Sequence, residues 1–233
     1  MNTKNLLDQL LRSGSEMLSQ KGSSASPYDK PKNDLTSIIA DKGAPALVGG
    51  VLGLLLGSKS GRKMGGKVLT YGGLALLGTL AYKAYQNYQN ESSNIKGQPQ
   101  SKPLDQLPDA EAEAHCRALL VALIAASKAD GHIDDRERQI IEKEMARLTH
   151  DPTARQWFDN EIKKPLDPES VARYATSQSM ASEMFLASLL VVDQQNFMEK
   201  TYLEELARQL KLPAELQTQL RQQIQELNKG NIP

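Results

Sequence analysis

The sequence predicts an all-α protein in which a Gly-rich apolar stretch precedes a compact domain of six or seven helices with an internal pseudo-repeat. Three observations carry this expectation. From Ala110 onward apolar residues recur at helical spacing, and no alternating stretch is long enough to make a strand. Asp151-Pro152 and Asp167-Pro168 each place a capping carboxylate before a proline at the first helical position, which marks a helix start. Between Asp41 and Glu91 there is no acidic residue, and two apolar runs, 45–57 and 68–82, lie inside that interval.

Taken in order, residues 1–43 read as an amphipathic helix and a polar linker. Leu6, Leu7, Leu10, Leu11, Met17 and Leu18 share one side of the helix, and residues 13–33 are rich in Ser, Gly, Pro and Lys. Residues 44–90 form the Gly-rich segment. A bilayer core of about 30 Å needs roughly 20 helical residues, so each apolar run is short for a span. The second becomes long enough if it continues to Tyr88, with Lys83 snorkelling and Tyr82, Tyr85 and Tyr88 at headgroup level. It is read as a transmembrane helix. Gly49, Gly53, Gly57, Gly61 and Gly65 recur at every fourth residue, a spacing that lets helix backbones approach closely in lipid and points to homo-oligomer formation. A flexible Gly-rich loop, and a helix buried in a soluble core, are the competing readings of the same residues. Pro99, Pro103 and Pro108 then interrupt residues 91–109, a tether.

The formal charge is balanced overall but not along the chain. Residues 1–110 hold 13 Lys and Arg against 8 Asp and Glu, and residues 111–233 hold 15 against 20. The cations flank apolar runs and are not interleaved with stacking aromatics, so the lipid bilayer, not nucleic acid, is the expected partner of the basic half. Cys116, the single cysteine, excludes an internal disulfide, and its apolar helical position makes it a buried thiol. No cleavable signal peptide is visible. His115, His132 and His150 fall in no HExxH-like spacing, and neither a nucleophile elbow nor a phosphate loop occurs, so no enzyme is expected.

Residues 110–233 carry the helical domain. Cys116, Leu119, Leu120, Leu123 and Ile124 make the stripe of a first helix ending near Lys128, and Ile140, Ile141, Met145 and Leu148 make the next. Met184, Phe185, Leu189 and Leu190 form a later stripe, followed by Phe197, Tyr202, Leu203, Leu206 and Leu210. Pro213 opens a last helix with the face Leu216, Leu220, Ile224 and Leu227.

The turn between the first two of these helices reads Ala129-Asp130-Gly131-His132-Ile133-Asp134-Asp135-Arg136-Glu137. Aligned to an EF-hand, Asp130, Gly131, Asp134 and Glu137 fall at loop positions 5, 6, 9 and 12. Positions 1 and 3 are Ala126 and Lys128, so two oxygen ligands are missing and a standard calcium site is not expected. Without a ligand, Gly131 takes the turn after the first helix, and Asp134 with Glu137 forms a capping box on the second. Residues 193–199, DQQNFME, echo the turn, with Asp193 matching Asp130 and Asn196 to Glu199 repeating the capping spacing.

These two segments and their helical surroundings resemble the TerB-like (tellurite-resistance) domain. The order of Gly-rich stretch, Pro-rich tether and helical domain resembles the YebE-like bacterial inner-membrane proteins, a family of unknown function. The resemblance implies that the acidic turns lie close together, with Asp130, Asp134, Glu137, Asp193 and Glu199 as a proposed divalent-metal set. The echo carries Gln195 where a further carboxylate is expected. It also implies an inner-membrane location. With a single span, the basic cluster Lys59, Arg62, Lys63 and Lys67 stays cytoplasmic and the helical domain is periplasmic, whereas a hairpin of both runs returns the domain to the cytoplasm. The expected function is a membrane-anchored, non-enzymatic interaction or stress-response module presenting an acidic surface to a protein partner; the alternative is a metal-binding or ion-sensing domain built on the paired acidic turns.

Overall fold

The computed structural model of the protein describes residues 3–7, 9, 73–91, 107–131, 133, 135–192 and 196–229. Every regular element among them is an α-helix. The eight longer-range elements are α1 (Gly73–Glu91), α2 (Asp109–Ser127), α3 (Asp135–Leu148), α4 (Pro152–Lys163), α5 (Pro168–Ala172), α6 (Gln178–Val191), α7 (Phe197–Gln209) and α8 (Ala214–Lys229). Residues 3–7 add a short amino-terminal helical segment.

The bundle is built around α6. Every residue from Met180 to Val191 is buried, and a helix that is apolar on nearly all sides must be covered on all sides. α2, α1, α8 and α7 supply that cover. Glu183 is the one charged residue in this run, beside the hydroxyls of Ser182 and Ser188. Its carboxylate is 2.7 Å from His115 Nε2 on α2 and accepts from Ser179 Oγ at 3.3 Å, which is how a charged group is accommodated there.

Local chemistry sets the helix ends. Asp151 and Asp167 accept from the backbone amides of Thr153 and Glu169 at 2.9 and 3.1 Å, and a proline follows each, as their spacing predicts. Ser177 and Asn196 cap α6 and α7 in the same way. α7 closes with a Schellman motif, in which the Lys211 and Leu212 amides bond the carbonyls of Arg208 and Ala207. Lys211 takes the left-handed position at φ 54° that glycine normally fills.

The expectation of a transmembrane helix at residues 68–88 is corrected by α1. Among the described residues no helix is long and apolar enough to cross a membrane, which also overturns the inner-membrane assignment. Leu77, Leu80, Ala81, Ala84 and Tyr88 are buried in the common core, and α1 packs on α6 and α8. Their spacing makes a stripe on one side of the helix. The other side is polar, where a span would meet lipid. The groups assigned to the headgroup region have protein partners: Lys83 lies 3.9 Å from Glu226 of α8, the Tyr82 hydroxyl accepts from Gln86, and Tyr85 meets Tyr88 edge-on at 6.0 Å. The run at 45–57, the five spaced glycines from Gly49 to Gly65, and Leu10, Leu11, Met17 and Leu18 lie outside the described residues.

The amino-terminal segment joins the same core. Thr3, Leu6 and Leu7 are buried. The Glu113 carboxylate of α2 accepts from the Thr3 and Lys4 amides at 2.8 and 3.3 Å, and the Thr3 hydroxyl donates to the Glu113 carbonyl at 3.0 Å. Burying two leucines contributes about 3–6 kcal/mol and the three hydrogen bonds about 3–5 kcal/mol, against about 5–10 kcal/mol for ordering five residues. The two sides nearly cancel, so this segment is held far less firmly than α6.

Candidate functional site

α2 runs out in a tight turn. The Lys128 and Ala129 amides bond the carbonyls of Ala125 and Ala126, and the Gly131 amide bonds that of Lys128, all at 3.1 Å. Gly131 has φ +137°, a backbone region that residues with a Cβ rarely adopt. The turn glycine is therefore required here, as the sequence indicates. Ile133 packs against the core just beyond it.

Lys128 explains the missing half of the calcium loop. Its side chain is buried, and Nζ donates to the carbonyls of Glu161, Ile162 and Lys164 at 3.2, 3.3 and 2.8 Å. These are carbonyls at the end of α4, which lack partners within the helix and carry its negative dipole end. Burial lowers the Lys128 pKa, an effect opposed by the Glu161 carboxylate and reinforced by the Lys164 charge. Where an EF-hand places its first ligands, this chain has the buried Ala126 in the last turn of α2 and an ammonium closing another helix.

The start of α7 lies against this turn. Asn196 Oδ1 accepts from the Met198 and Glu199 amides at 2.9 and 3.4 Å, opening α7. A Cβ placed on Gly131 would sit 3.9 Å from Met198 Cε, so the Gly131 turn and the start of α7 are in contact. Two apolar side chains stand in solvent at this junction, Phe197 at 82% and Met198 at 53% exposure. The expectation that Phe197 belongs to the buried stripe of α7 is corrected here. It is the first residue of the helix, where the side chain leans back past the helix end, away from the Tyr202, Leu203 and Leu206 face.

The five proposed metal ligands are placed unequally. Asp130 is exposed in the first turn, and Glu199 is buried in the first turn of α7. Asp134, Asp193 and the side chain of Glu137 lie outside the description. Among the described residues no group of three or more His, Cys, Asp or Glu side chains is arranged to hold a metal ion. What sequence reasoning missed is the pairing of Phe197 and Met198 as exposed groups beside Asp130, together with the use of Lys128. The i, i+5 spacing of Phe197 from Tyr202 was the available signal, because it falls off the helical stripe.

The family described as a protein of unknown function (DUF533) matches residues 41–224. The chain belongs to the DUF533 family. That match takes in the Gly-rich stretch, α1 and both turns. An uncharacterized protein from the ampR 5' region of Yersinia enterocolitica is 35% identical over 141 residues, covering 60% of this chain and 94% of that relative. No solved structure matches.

Proposed function

We propose that this DUF533 protein is a non-enzymatic helical interaction module whose docking surface is the junction of the two turns. The exposure of Phe197 and Met198 beside Asp130 carries the reading. An aromatic ring left in water at the edge of a well-filled core has no structural use there, and aromatic and Met side chains are enriched at interface centres. The exposed ring and the Asp130 carboxylate give the partner its chemistry: an apolar pocket for the ring and a basic group for Asp130. The resemblance of the turns to those of TerB-like domains, and of the chain's order to YebE-like proteins, supports a module of this kind.

The test is in-cell photo-crosslinking with a photoreactive phenylalanine derivative at position 197 of the full chain. A discrete adduct is expected, weakened by Asp130→Lys, with none from the same group at the exposed Gln222 of α8. Equal labelling from positions 197 and 222 would reject the surface. Calorimetric titration of the full chain with divalent ions examines the metal alternative: saturable heat that Asp130→Asn abolishes would replace the interaction reading with ion binding.

A further inference from the structure

The surface of α2 around Glu113 is separate from the turn junction, and its occupant belongs to the same chain. Residues 3–7 insert Leu6 and Leu7 into the core and present their first backbone amides to the Glu113 carboxylate. The carboxylate acts as the cap of a helix that begins 110 residues earlier in the sequence. Its pKa is lowered: burial raises it, and the bonds from Thr3 and Lys4, with the Arg117 charge, outweigh that effect.

The contact has the form of a docked peptide. Anchor side chains at adjacent positions are buried, the helix start is fixed by one side-chain acceptor, and the near-balance of burial against ordering leaves the bound and released states close in free energy. We propose that this surface is a docking site for a short amphipathic helix start of the pattern Thr-x-x-Leu-Leu, and that residues 3–7 occupy it in cis as a releasable latch. The partner chemistry is read from the seated segment: a hydroxyl residue at the helix start, two consecutive leucines one turn later, and free first-turn amides for Glu113. A partner helix with this pattern competes with the latch, so its apparent affinity is reduced by the fraction of chains in which the latch is closed.

The probe is a fluorescent peptide of residues 1–12, and the receptor is the full chain. Leu6→Asp with Leu7→Asp ejects the latch, and the peptide should then bind about two- to tenfold more tightly than to the wild-type chain, since the competing cis occupant is gone. Adding Glu113→Ala should remove most of that gain by deleting the carboxylate cap. Equal binding to the wild-type and latch-ejected chains, or indifference to Glu113→Ala, overturns the proposal. Hydrogen exchange on the wild-type chain keeps it testable if the double variant fails to fold. Amides of residues 5–7 should exchange on the order of a hundredfold faster than those of α6, as local opening predicts. Protection equal to that of α6 would make the segment a permanent part of the core and reject the latch.

Discussion

Replacing Lys128 by Met keeps the apolar stem and removes only the ammonium, so it isolates the closure of α4. Three hydrogen bonds disappear, of which the 2.8 Å bond to Lys164 is the strongest and the 3.2 and 3.3 Å bonds to Glu161 and Ile162 are weaker. Bonds to a charged donor contribute about 1.5–3 kcal/mol each, and each carbonyl left buried without a partner costs about 1–3 kcal/mol. Relief from burying the ammonium returns several kcal/mol of this. The net expectation is a loss of about 2–3 kcal/mol. Urea unfolding followed by the fluorescence of Trp157, the single tryptophan and a residue of α4, reads the effect where it arises. At a slope of about 2 kcal/mol per molar urea the midpoint should fall by about 1 M with no change in slope. The pH dependence supplies a second check. The folded pKa lies below 10.5, so between the two values the unfolded chain holds a proton that the folded chain has shed, and stability rises with pH across that window. The rise should be smaller in Lys128→Met than in the wild type. A variant as stable as the wild type, with the same pH profile, would refute the idea that this lysine closes α4.

Other substitutions probe the remaining structural statements. His115→Ala leaves the Glu183 carboxylate buried in α6 with only Ser179, and should cost about 2–4 kcal/mol, while Glu183→Gln should cost less because it removes the charge; thermal midpoints of the two variants in the opposite order would count against the pair. Gly131→Val forces a β-branched residue to positive φ and should lose about 1–3 kcal/mol, whereas Gln139→Ala, at an exposed position of α3, should be near neutral, as read by calorimetric melting. Lys211→Gly relieves the left-handed position in the Schellman motif and should stabilise by about 0.5–1 kcal/mol; a lower denaturation midpoint would contradict the strain. Because the folded pKa of Glu113 is lowered, its contribution to latch closure is fully present above about 4.5 and is lost as pH falls through the folded value, so acid should increase amino-terminal exchange in the wild type relative to Glu113→Gln after correction for intrinsic rates.

Helix stripes and Asp-Pro starts were legible because periodicity and capping act over three or four residues. Leu216, Leu220, Ile224 and Leu227 are all buried as their spacing indicates, and Cys116 is a buried thiol. The features that escaped depend on distant partners. Lys128 meets carbonyls 33 to 36 positions later, and Glu113 caps a segment 110 positions earlier, so no local pattern announces either. α1 misled for a different reason. Its alanines, leucines and tyrosines suit a bilayer edge or a protein core, and only the one-sided placement of Leu77, Leu80, Ala84 and Tyr88 against Lys83 and Gln86 separates the two.

The membership of α1 in the helical bundle is tested most directly by Leu80→Ala in the full chain. Leu80 is 1% exposed in the core that α1 shares with α6 and α8, and such truncations cost about 2–5 kcal/mol. Trp157 lies on α4, away from the substituted helix, so its fluorescence reports whether the whole bundle feels the change. The structure predicts one cooperative urea transition at Trp157 with its midpoint lowered by about 1 M or more. An unchanged midpoint would mean that α1 is not part of that core.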